Sequence, residues 1–229
     1  MTRSSSAMDV YLEVGTKRVF AGAIDWPGWT RGGKDEESAL QALAESAPRY
    51  ARLLKAAKID FKPPKDASAF NVVERVEGNS TTEFGAPNVA LASDAEPIDE
   101  ATLERFQNLL TAYWQGVEAA IKAAIGKELR KGPRGGGREL DTIIHHVIDA
   151  NYGYLRQIAW KAKRAEDASL QQAIDANRQA IHDALAAAVH DGVPEHGPRG
   201  GKLWKPRTFV RRAAWHMLDH IWEIEDRIE

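Results

Sequence analysis

TFVRRAAWHMLDHIWEIEDRI (208–228) carries Val210, Ala214, Met217, Ile221, Ile224 and Ile228 at intervals of three, four and seven. That is the period of one face of a helix turning once every 3.6 residues, so the spacing predicts an amphipathic helix over 208–228. Three stretches upstream share the pattern. They are 99–125 with Leu103, Phe106, Leu110, Tyr113, Val117 and Ile121, 139–164 with Leu140, Ile143, Val147, Tyr154 and Ile158, and 169–190 with Leu170, Ile174, Ile181, Leu185 and Val189. Each helix has an apolar stripe to bury and no convincing strand lies nearby, so 97–229 is expected to be an up-down four-helix bundle. KGPRGGG (131–137) breaks the first helix from the second. The Gly- and Pro-rich segment 191–206 is longer than most helix–helix connections, which marks it as a candidate functional loop.

The first third reads differently. Val10, Leu12 and Val14 alternate with Tyr11, Glu13 and Gly15, the period of a strand, and RVFAGAIDW (18–26) reads as the returning strand of a hairpin. Pro27-Gly28 ends it, and Gly32-Gly33 is expected to make a second turn. Asp35 is placed to cap a helix over 36–58 whose face is Leu40, Leu43, Ala47, Tyr50 and Leu54. FNVVERVE (70–77) is a further strand, and 81–91 a weaker one interrupted by Gly85 and Pro87. The whole is therefore expected to be α+β: a small sheet-and-helix domain over 8–92, followed by the helical domain.

The totals exclude several classes. Among 229 residues, 43% are hydrophobic and 28% charged, with a net charge of -2. A general nucleic-acid binder would carry a basic excess, so no nucleic-acid partner is expected. No signal-peptide core and no apolar run of about 18 residues occurs, which predicts a cytoplasmic protein without a membrane span. Cysteine is absent, so a metal would have to be held by His, Asp or Glu. Trp26 and Trp29 near the Pro-Gly turn are expected either to form an exposed interaction patch or to pack against the helical bundle. The basic glycine-rich loops KGPRGGGR (131–138) and GPRGGKLWK (197–205) are either anion sites or plain connections.

His216 and His220 are one turn apart on the last helix, so their imidazoles point the same way and can share a metal. Both fall at or near its apolar stripe. Catalytic zinc-like sites take three protein ligands, and the second bundle helix offers His145 and His146. These lie equally far from the centre of the apolar face, so periodicity does not choose between them. Glu223, one turn beyond His220, is placed either to accept a histidine N–H or to pair with Arg227 or Arg212.

HHVIDANYGYLRQI (145–158) and RRAAWHMLDHIWEIEDRI (211–228) resemble the two ligand-bearing helices of the DinB-like superfamily of metal-dependent four-helix proteins. That superfamily includes mycothiol-dependent maleylpyruvate isomerases and bacillithiol transferases. The resemblance selects His146 as third ligand beside His216 and His220, with Asn151 where the family often has Glu. It implies a divalent metal, zinc or nickel, a small-molecule substrate, and chemistry that is thiol-dependent transfer, isomerisation or hydrolysis. With no cysteine in the chain, a thiol would come from a low-molecular-weight cofactor. FAGAIDWPGWTRGGKDEESALQAL (20–43) resembles the HicB-like module, a ferredoxin-like fragment, and implies a small sheet with one long helix. The alternative is a non-enzymatic protein-interaction or regulatory module with a structural or vestigial metal site. A homodimer is compatible with either.

Overall fold

Residues 7–131, 139–164 and 167–229 are described by the computed structural model. In it the alternating stretch near the N-terminus becomes strand β1 (Met8–Val14), which pairs antiparallel with β2 (Val19–Ala23). β3 (Thr30–Gly33) pairs antiparallel with β2, and β4 (Phe70–Glu77) runs parallel to β1 on its other side. The sheet order is β3-β2-β1-β4. A parallel pair cannot be joined by a hairpin, and α1 (Glu36–Ala56) lies in the connection between β3 and β4. The fold is thus α+β, with a mixed four-stranded sheet and six α-helices among the described residues. It divides into two compact units, Met1–Ala95 and Glu96–Glu229.

In the first unit Asp35 caps α1 as its type predicts, accepting from the Ser38 N–H while the Ser38 hydroxyl lies against Asp35 in return. The buried face of α1 is Ala39, Leu43, Ala47, Tyr50 and Leu54, with Leu40 only half-buried. Trp29 is fully buried, stacks on Tyr50 with centroids 5.1 Å apart, and donates from Nε1 to Ser46 Oγ. Trp26 meets Phe61 edge-on at 4.8 Å. Both tryptophans are packing residues.

Several expectations are corrected here. The returning strand stops at Ala23 rather than at 26, and Gly32-Gly33 is the end of β3 rather than a turn. Gly33 is needed there for proximity: a Cβ would lie 2.4 Å from the backbone nitrogen of Ala39 at the start of α1. The strand expected over 81–91 is instead a short helix, α2 (Ser80–Phe84), because Asn79 accepts from the N–H groups of Thr81 and Thr82 and so nucleates a helical turn. Gly85, at φ +118°, ends it.

Tyr11 and Glu13 were expected on the polar side of β1, yet both are fully buried. The Tyr11 ring runs across Gly22 on β2 to place its hydroxyl 3.2 Å from Thr30 Oγ1 on β3. A Cβ at Gly22 would sit 2.4 Å from the Tyr11 ring and 2.6 Å from Thr30 Oγ1. Gly22→Ala is therefore expected to destabilise by about 2–3 kcal/mol, the usual scale of overpacking. Urea unfolding monitored by tryptophan fluorescence checks it, and a loss under about 0.5 kcal/mol would show that the ring moves aside freely.

The second unit contains α3 (Glu100–Ala124), α4 (Leu140–Gln157), α5 (Leu170–His190) and α6 (Pro206–Arg227). α3 and α4 each pack against both α5 and α6. Their buried residues include Leu103, Phe106, Leu110 and Val117 on α3 and Ile143 and Val147 on α4, as the spacing predicts, while Leu155 is buried where the spacing pointed to Tyr154. α4 is shorter than the expected 139–164. It ends at Gln157, Ala159 turns left-handed at φ +62°, and the Trp160 N–H returns to the Leu155 carbonyl. Of the glycine-rich break at 131–137, residues 132–137 lie outside the described residues.

Candidate metal centre

Apolar burial on two helices aims three imidazoles at one point. On α4, His146 is half-buried and flanked by the buried Ile143, Ile144, Val147 and Ile148. On α6, His216 and His220 are buried one turn apart. His146, His216 and His220 each offer one ring nitrogen to a cluster whose atoms all lie within 4.8 Å of one another. His216 Nε2 is central, 3.2 Å from His146 Nε2 and 3.2 Å from His220 Nε2. The rings stand steeply to one another, with His216 and His220 at 86° and His146 and His220 at 84°.

Glu223 assigns the protons. Its Oε2 lies 2.6 Å from His220 Nδ1, and its Oε1 accepts from Arg227 Nη1 at 2.9 Å. The hydrogen bond to His220, helped by the charge of Arg227 and opposed by burial, holds the Glu223 carboxyl below its usual range, so it is a carboxylate and an acceptor. Nδ1 of His220 then carries a proton, and in the neutral ring its Nε2 presents a lone pair to the cluster. A single proton on His216 Nε2 can lie along the line to His220 or along the line to His146, but not along both. Neutral imidazoles therefore leave one of the two 3.2 Å contacts without a proton.

An aromatic wall adjoins the cluster. The Tyr154 ring meets His216 edge-on at 5.7 Å and leans on Trp204 at 5.6 Å. The Arg212 guanidinium lies 5.1 Å from the Tyr154 ring and 4.6 Å from the Trp215 ring. Burial raises the Tyr154 phenol above its ordinary value against the opposing charge of Arg212, so it is protonated at neutral pH. Sequence spacing assigned Tyr154 to the apolar face and left Trp204 in a loop. The usable signal was its position two turns beyond His146, on the same side of α4.

Against models of protein families, curated proteins and solved structures, nothing matches this chain. The geometry of the site therefore has to carry its own reading.

The remaining histidines are elsewhere. His145, the rival of His146, accepts from Arg164 Nη2 at 2.7 Å, and Arg164 also pairs with Asp149. His190 pairs with Glu100 at 2.9 Å, and His196 is exposed in a small turn where its backbone bridges to Lys202. The neighbouring loop 197–205 is held by the Gly197 N–H to the Gly201 carbonyl and by the Trp204 N–H to the Gln157 carbonyl at the end of α4. Asn151 is fully buried and donates to Asn177 Oδ1 at 3.1 Å, so this position ties α4 to α5 rather than serving His146.

His182 Nε2 lies 3.1 Å from Thr111 Oγ1, and burial, reinforced by the charge of Arg178, lowers its pKa. A histidine lowered on folding contributes stability above its unfolded value, about 6.5, and loses that contribution as pH falls through the folded value. Wild-type protein is thus expected to lose stability on acidification below about pH 6.5 more steeply than His182→Gln. Parallel slopes in urea titrations from pH 7 to 5 would contradict this.

Proposed function

We propose that the second unit is a DinB-like four-helix bundle that holds one divalent metal, zinc or nickel, on His146, His216 and His220, and acts as a metal-dependent enzyme on a small molecule. The observation that carries the reading is the convergence of three Nε2 atoms that neutral imidazoles cannot all hydrogen-bond, with a carboxylate beside Nδ1 of one. A cation held by His146, His216 and His220 would take a lone pair from each ring. The 3.2 Å spacing of His216 Nε2 from each of the other two suits such ligands, because nitrogens about 2.0–2.1 Å from a tetrahedral ion are about 3.3 Å apart.

Three imidazoles with no fourth protein ligand among the described residues favour catalysis over a purely structural ion, since structural zinc sites are normally closed by four. Such an ion supplies a Lewis acid that lowers the pKa of water or of a thiol. The chain's own residues hold and orient. Glu223 keeps the His220 lone pair directed at the cluster, Tyr154 offers a protonated phenol beside His216, and Trp204 and Trp215 supply apolar cover. Thiol-dependent transfer, isomerisation and hydrolysis are the reactions proposed, the thiol coming from a small cofactor because the chain has no cysteine. The first unit, ordered β1-β2-β3-α1-β4, is proposed as a HicB-like module.

Metal analysis of the purified protein tests the first half, with about one equivalent per chain expected because three preorganised ligands should retain an ion tightly. Less than a tenth of an equivalent after reloading would end the metal reading. A panel of small thiols and electrophiles, assayed on metal-loaded and chelator-stripped protein, tests the second. Turnover only in the loaded form is expected. A stripped protein that loses its fold while the loaded one turns over nothing would mark the ion as structural and the chain as an interaction module.

A further inference from the structure

Glu223 is itself held, and what holds it lies far away in sequence. Its second oxygen accepts from Arg227 Nη1 at 2.9 Å, and the Arg227 side chain is only 12% exposed. The Nε of the same guanidinium donates to the Arg130 carbonyl at 2.8 Å, while the Arg130 N–H donates to the Arg227 carbonyl at 2.8 Å. Leu129 bridges to Ile228, the Glu229 N–H reaches the Glu128 carbonyl, and the Arg130 side chain reaches the Asp226 carbonyl. Segment 128–130, just beyond α3, and the last residues of α6 therefore form a two-stranded clasp. Every link between that clasp and His220 is a charged or backbone hydrogen bond of fixed direction.

We infer that Glu223 is the positioning residue of the three-histidine site, and that the clasp of 128–130 with 226–229, acting through Arg227, sets where its carboxylate points. The physical reason is the two-fold choice open to an imidazole. A histidine left to itself samples both tautomers and can rotate on its helix. One whose Nδ1–H is fixed on a carboxylate presents Nε2 alone, in one direction, and is a stronger base there. Arg227 prevents Glu223 from turning to water, and the backbone of Arg130 prevents Arg227 from doing the same. The inference rests on the metal reading only for its consequence for affinity. The orientation of His220 is a property of the metal-free chain.

The test uses the full chain and two readouts. In metal-free protein near pH 8, side-chain nitrogen shifts report the His220 tautomer. Zinc affinity is measured by competition with a chromophoric chelator. Wild-type His220 is expected in the Nδ1–H form, and Glu223→Ala is expected to release it to a mixture while lowering zinc affinity about 10–100-fold, the usual effect of removing such a partner. Glu223→Gln keeps an acceptor, so it should hold the tautomer and lose less affinity. Arg227→Ala should weaken zinc binding alone but add nothing to Glu223→Ala, because it acts through that residue. An unchanged tautomer in Glu223→Ala, or an additive loss in the double variant, overturns the inference. Should Glu223→Ala fail to fold, Arg227→Ala carries the decision, and a zinc affinity equal to that of wild type overturns the inference. Zinc that fails to bind the wild type, with the tautomer still governed by Glu223, would defeat the metal reading and leave the positioning role intact.

Discussion

His216→Ala is expected to lose metal outright, with affinity falling at least about a hundred-fold, and to be as stable as wild type when both are stripped. The first half follows from its central place, since its Nε2 is within 3.2 Å of both other ring nitrogens. Apparent zinc binding energies of about 10–16 kcal/mol shared over four ligands amount to roughly 3 kcal/mol for each. The second half follows from the proton count. With neutral rings one of the two contacts in the stripped protein has no hydrogen bond, so removing the middle ring relieves a conflict while it costs some packing. Thermal unfolding of wild type and variant, each with chelator and with one equivalent of zinc, reads both halves. Zinc should raise the midpoint of wild type alone, because a ligand that binds only the folded state stabilises it by mass action. Equal zinc-induced shifts in the two proteins would count against the site. So would a stripped variant several kcal/mol weaker than wild type, since the imidazoles would then be supporting one another without an ion.

The second large effect is expected at Glu13, far from the histidines in sequence. Its carboxylate is fully buried on β1 and accepts from the Thr82 hydroxyl, the Asn88 N–H at 3.0 Å and the Val89 N–H at 3.0 Å. It thus fastens the irregular segment after α2 to the sheet. Glu13→Ala leaves these three donors facing a void. Each buried donor without an acceptor costs about 1–3 kcal/mol, so a loss of about 3 kcal/mol or more is expected. Glu13→Gln should lie between, because its amide offers one oxygen and turns an NH2 group toward the remaining donors. Urea unfolding gives the stability, and hydrogen exchange at Asn88 and Val89 shows whether the segment is released. A Glu13→Ala protein within about 1 kcal/mol of wild type would mean that water replaces the carboxylate at little cost.

These two residues show how unevenly the sequence can be read. His216 and His220 were visible because helical periodicity is local: positions four apart share a face whatever the rest of the chain does. His146 was not separable from His145 by periodicity, and family resemblance was needed to choose it. In the structure His146 joins the cluster while His145 turns to Arg164. The choice depends on the rotation of α4 about its own axis, which is set by packing against α5 and α6. Glu13 was misread for a related reason. Alternation along a strand predicts a polar side facing water, but it carries no information about a later segment that folds over that side.

The sequence by itself determined the α+β composition, the capped start of α1, the four long helices of the second unit and the one-turn spacing of His216 and His220. All are set within about a turn or a strand of the residues concerned, where backbone geometry leaves few choices. Only the tertiary structure decided that β3 continues through Gly32-Gly33, that Tyr11 and Glu13 are buried, and that Arg227 reaches Glu223 from a clasp with residue 130. Each of those depends on a contact with a partner remote in sequence. The convergence of three Nε2 atoms is of both kinds: two aligned by one helix, the third delivered by the packing of another.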